Sequence, residues 1–220
     1  MNIESATRFL GDHMLYMDFA TLILGTLAYR AHDKRLQLLF IHVIVGIFVF
    51  SISKYTSSLG NNIYTSYIFA PYEAIMFAAI LYPLAQHKKT RRIVKATLVL
   101  IIIVNLTEGL LIEDGFTKYN SYTYVFINLL VGSLAIRQLL QLRFDSQVEN
   151  LARSPMFWVA TGLAIKHFGV LIVWAFFRVA QENSMELLWQ LTFIREAVIY
   201  ITLILWMAAF WVARKGYYNA

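Results

Sequence analysis

Two residues able to do acid–base or ligand chemistry stand side by side in an apolar stretch. They are Lys166 and His167, within GLAIKHFGVLIVWAFF at residues 162–177. A lysine amine can form an imine or hold an anionic group. An imidazole can carry a proton or ligate a metal. Seven more polar side chains interrupt apolar runs elsewhere: Asp18, Glu73, Asn105, Glu108, Asn128, Arg195 and Glu196. Asn105 and Glu108 are three residues apart and share a helix face. Arg195 and Glu196 are neighbours, so their side chains leave a helix about 100° apart, and each is expected to seek another helix.

The elements that must position these groups are long and apolar. The chain has 220 residues, of which 59% are hydrophobic and 15% charged. A soluble domain carries about 25% charged residues, so the excess of apolar residues points to a bilayer as solvent. Seven segments can each cross a membrane as a helix: 14–31, 36–54, 65–85, 93–112, 121–142, 156–178 and 190–213. Their joints carry turn chemistry, as in SSLGNN, EDG, RSP and QENS. No linker is long enough to divide them, so a single domain over 1–220 is expected. The N-terminal residues lack the basic start and apolar core of a signal peptide.

Lysine and arginine alternate between the connections. One set of alternate connections carries 13 basic residues and the other 4, with Lys166 and Arg195 inside spans. The positive-inside rule then predicts an all-α seven-helix bundle with its N-terminus outside and its C-terminus cytoplasmic, multi-pass in a bacterial inner membrane. The basic run HKKTRRIVK at 87–95 reads as a topology signal touching anionic lipid, not as a nucleic-acid site. Aromatic residues near span ends, among them Tyr64, Tyr119, Trp158 and Trp189, suit the interface.

With that orientation the polar residues acquire depths. Asp18, Glu73, Asn105, Glu108, Asn128, Lys166, His167, Arg195 and Glu196 all fall between the midplane and the outer surface. Lys54 caps the second span, and His42, in its inner part, is the exception. A charged side chain at a helix centre costs about 2.5–3.5 kcal/mol on insertion scales. Six such groups facing lipid would cost on the order of 10–20 kcal/mol, comparable to a domain's whole stability. They are therefore expected to line one outward-facing polar cavity, with Lys166 bridging to Glu73 or Glu196. Pro71, two residues before Glu73, removes a helix donor and frees a carbonyl nearby.

Most catalytic chemistries lack their residues. With no cysteine there is no thiolate nucleophile or ligand. The spans hold only two histidines, His42 and His167, at different predicted depths, too few for a catalytic zinc; hydrolases of the ceramidase type need a histidine pair on the last span. No GxSxG occurs, and Ser51 and Ser133 have no neighbouring histidine. Microbial rhodopsins place their chromophore lysine in the seventh helix, whereas Lys166 is on the sixth. Small sugar transporters need a repeat that Pro71, Pro83 and Pro155 do not mark. No metal and no cofactor are expected.

Two stretches carry a resemblance. SPMFWVATGLAIKHF opens with the pattern P-x-F-W-x-x-x-G at Pro155, Phe157, Trp158 and Gly162, and YIFAPYEAIMFAAILY sets Glu73 after a tyrosine. Both resemble segments of small uncharacterised seven-helix bacterial membrane proteins associated with histidine-kinase signalling genes. The resemblance implies a sensor with a signalling partner. The expectation is a receptor that binds a small polar ligand from outside, able to self-associate; an ion-coupled carrier is the alternative, and an intramembrane lipid-modifying enzyme the third reading.

Overall fold

The computed structural model describes residues 2–31, 33–58, 63–81, 88–112, 119–145 and 150–218. Pro83, Lys118, the EDG turn and much of SSLGNN lie outside the described residues. Among the described residues there is no strand. Seven long helices follow in order: α1 Ile3–Leu27, α2 Lys34–Ser58, α3 Ile63–Leu81, α4 Lys88–Thr107, α5 Ser121–Phe144, α6 Pro155–Asn183 and α7 Met185–Tyr218. Six of them, α2 to α7, are long and apolar enough to cross a membrane, which makes the chain a multi-pass helical bundle in contact with lipid. The remaining helix, α1, carries Asp12, His13 and Asp18, which lower its hydropathy.

The helices outrun the apolar segments. The N-terminus of α1 lies at Ile3, eleven residues before the predicted span, because Asn2 accepts a hydrogen bond from the Ser5 amide at 2.8 Å and caps it. Helices α6 and α7 are separated by Ser184 alone. Hydropathy marks the apolar stretch of a helix, whereas caps set its ends.

Packing arranges the helices as a ring. Helix α1 packs on α2 and α7, α2 on α3, α3 on α5, α5 on α6, and α6 on α7. Helix α4 packs on α3 and α5 from outside this ring. Lipid tails are as apolar as leucine, so close contact and polar bonds must hold such a ring together. The α6–α7 contact is close because Gly162 and Gly169 face α7. A Cβ on Gly169 would lie 2.9 Å from Val198 Cγ2, and one on Gly162 would lie 3.0 Å from Trp206 Nε1.

The two ends of the ring differ. At the end holding Lys34, Arg35, Arg153 and Arg214, the interior is filled with apolar side chains. Leu39, Phe77, Ile80, Leu81, Val159, Leu163 and Phe210 are fully buried there. Toward the opposite end the ring encloses a cavity.

Candidate functional site

The cavity has a volume of about 570 Å³, within the range of small-molecule sites. Every helix of the ring lines it and α4 does not. Asp12, Ser57 and Thr65 stand at its mouth, and His42, Glu73, Lys166 and Trp206 lie deeper. Five of the nine candidate residues line it: Asp18, Glu73, Lys166, Arg195 and Glu196.

Lys166 on α6 forms an ion pair with Glu73 on α3, both largely buried, with side-chain exposures of 16% and 6%. The Lys166 ammonium also sits 4.9 Å from the centroid of the Phe77 ring. Pairing across the ring answers the cost of an isolated charge at this depth.

Arg195 and Glu196 bond each other instead of reaching to other helices. The Arg195 Nε donates to Glu196 Oε1 at 3.1 Å, and a second guanidinium nitrogen donates to the same oxygen. The expectation from helix geometry fails because it considers Cβ directions alone. The guanidinium lies at the end of a long stem and curls back over one residue.

Asn105 and Glu108 do not enter the cavity, because α4 stands outside the ring. Their depth was readable, but their bearing around the bundle was not. Asn105 Nδ2 donates to the carbonyl of Tyr67 at 2.9 Å. That carbonyl precedes Pro71 by four residues, so it is the one the proline leaves without its helical donor. Asn105 thus binds the carbonyl freed by Pro71. Its own Oδ1 accepts from Asn120 Nδ2 at 2.8 Å, which joins α3, α4 and the start of α5.

This pairing yields a testable coupling. Asn105→Leu is expected to lower stability by about 1–2 kcal/mol, since a buried carbonyl loses its donor. Pro71→Ala restores the helical amide and should recover much of that loss, as read from thermal unfolding in detergent. Additive losses in the double variant would contradict the assignment.

Glu108 is fully buried in a π-helical turn, Glu108–Ile112, that continues α4. Its carboxylate accepts from the amides of Tyr122 and Thr123, each at 2.9 Å, and from the Thr123 hydroxyl at 2.8 Å. Those amides are the second and third of α5, the ones an N-cap side chain would satisfy. The residue at the cap, Asn120, makes no such bond. Glu108 therefore caps α5 from a neighbouring helix, and its charge favours the positive end of the α5 dipole.

Asn128 and His167 form a third polar contact, at the α5–α6 seam. Asn128 Oδ1 accepts from His167 Nδ1 at 2.7 Å, and both residues are about 1% exposed. Neither lines the cavity.

His42 does line it, although its sequence position suggested a greater depth. It lies eight residues after the start of α2, and Lys166 lies eleven after the start of α6. At 1.5 Å per residue the difference is about 4–5 Å, which long side chains span. His42 is 5% exposed and packs against Phe77, Trp206, Phe69 and Tyr72, with ring centroids 4.4–5.9 Å away. Its Nδ1 has no hydrogen-bond partner among the described residues. Counting from the basic ends of both helices would have brought it to the site.

Among the described residues no group of three or more histidine, aspartate or glutamate side chains could hold a metal ion. No family model, curated protein or solved structure matches this chain.

Proposed function

We propose that the chain is a receptor or sensor of a bacterial inner membrane, spanning it seven times with the N-terminus outside. It binds a small polar solute in the cavity and passes the change to a signalling partner. The cavity carries this reading: charged side chains from separate helices meet in a space open at one end, above a packed apolar interior. A solute entering there would exchange contacts with the Lys166–Glu73 pair and shift α6 against α3.

Two features support the orientation and the seventh span. The mouth lies opposite the end rich in lysine and arginine, which is the cytoplasmic end by the positive-inside rule. Helix α1 closes the ring between α2 and α7 and turns Asp18 to the cavity. Its Tyr16, Phe19, Ile23 and Leu27 remain exposed at helical spacing, as a lipid-facing stripe requires. Two of the residues that lower its hydropathy, Asp12 and Asp18, line the cavity, while His13 lies on the exposed face beside Phe9 and Tyr16.

A cysteine placed in the cavity tests this directly, because the chain has none of its own. Gly46 lines the cavity, and a Cβ there meets nothing within 4 Å. Gly46→Cys should react with a membrane-impermeant maleimide added outside intact cells, as should Ser57→Cys at the mouth. Labelling of Gly46→Cys from the cytoplasmic side alone, or failure to label while Ser57→Cys reacts, would refute the reading. Asp18 and Glu73 would also serve a proton-coupled carrier. That alternative predicts pH-dependent flux in liposomes that Glu73→Gln abolishes.

A further inference from the structure

The charges of the described cavity lining do not balance. It holds four carboxylates and three cations. Lys166 is bonded to Glu73, and Arg195 to Glu196. Lys54 lies 3.9 Å from Asp12 at the mouth. Asp18 is left over: it makes no hydrogen bond and no ion pair with the described residues, yet it faces the cavity with only part of its surface exposed. A carboxylate facing a cavity without a hydrogen bond or a close ion pair attracts a positive charge, even with the Lys166 ammonium acting on it from a distance.

The remaining walls suit an organic cation better than a hydrated metal ion. Phe50, Phe69, Tyr119, Tyr124 and Trp206 line the same space, and aromatic faces attract ammonium groups. The protein already makes such a contact internally, where the Lys166 ammonium lies near the Phe77 ring. A divalent cation would need several oxygen or nitrogen ligands converging on one point, and no such group occurs among the described residues.

Building on the binding reading above, we propose that the cavity selects a small organic monocation: an ammonium group held by Asp18 among the aromatic walls. The internal ion pairs serve this selection. They neutralise their own charges and leave one negative charge for the ligand. An anionic solute would meet the Asp18 carboxylate and is rejected.

The test uses Gly46→Cys in the full-length protein, purified in detergent. Two small thiol reagents are compared: trimethylammonioethyl methanethiosulfonate, a monocation, and its sulfonatoethyl counterpart, a monoanion. Each rate is divided by that of the same reagent with a free thiol in solution. The cation is expected to be favoured by tenfold or more, and Asp18→Asn should remove most of that preference. Asp18 has no hydrogen bond or ion pair with the described residues to lose, so the variant is expected to fold, which its thermal unfolding checks. Equal normalised rates, or a preference for the anion, overturn the cation assignment while leaving a wet cavity intact. A preference that survives Asp18→Asn also overturns it. If neither reagent reacts while Ser57→Cys does, the cavity reading beneath it falls as well.

Discussion

Glu108→Ala is expected to lower stability by about 2–4 kcal/mol, seen as a clear drop in the Tm of the detergent-purified protein. Three donors converge on this one carboxylate. Each donor left without an acceptor in a buried place costs about 1–3 kcal/mol. Removing a buried charge returns part of that sum, because the carboxylate no longer has to be desolvated. Glu108→Gln keeps one oxygen but sets an amide N–H against a helix N–H, so it should recover only part of the loss. Variants that still fold should show an unchanged preference for the cationic reagent at Gly46→Cys, since Glu108 lies outside the cavity. A Tm within a degree or two of the parent would contradict the cap. Lost reagent preference in a folded variant would return Glu108 to the cavity.

The case of Glu108 shows what a sequence carries and what it leaves open. Apolar length and the cost of charges in lipid were enough to predict a helical bundle and to turn Glu73 and Lys166 inward. They could also narrow the partner of Lys166 to Glu73 or Glu196, because opposite charges at one depth have few alternatives. Depth is one-dimensional, however. Asn105 and Glu108 sit at a depth similar to that of the cavity groups, and only the packing of α3 directly on α5 puts α4 outside. That arrangement depends on contacts between residues far apart in the chain, which no periodicity within α4 records. That Pro71 removes a helical donor was legible, yet the acceptance of the Tyr67 carbonyl from Asn105 was not, for the same reason. Arg195 and Glu196 were misread on a finer scale, where side-chain length overrides helix geometry. His42 was set aside by a few ångströms of assumed span boundary.

The ion pair between Lys166 and Glu73 gives the second large effect, and its sign can be worked out for both stability and selectivity. Glu73→Gln leaves Lys166 short of its counter-charge, and Lys166→Met leaves Glu73, 6% exposed, without its cation. Breaking a fully buried pair from one side costs about 3–5 kcal/mol. The cavity hydrates the lysine in part, so about 2–4 kcal/mol is expected for either single change. The double variant Glu73→Gln with Lys166→Met removes both charges and should lie close to the parent in Tm. Losses that simply add would show that the two groups do not support each other. Selectivity at Gly46→Cys should follow a different order, because it depends on the net charge facing the solute. Lys166→Met makes the cavity more negative and raises the preference for the trimethylammonium reagent. Glu73→Gln makes it less negative and lowers that preference. The double variant leaves Asp18 as the unmatched charge and should select as the parent does. One pair thus predicts two rankings: both singles fall below the parent and the double in stability, whereas in selectivity the singles fall on opposite sides of them. A purely structural pair remote from the cavity would reproduce the first ranking and leave the reagent rates unmoved.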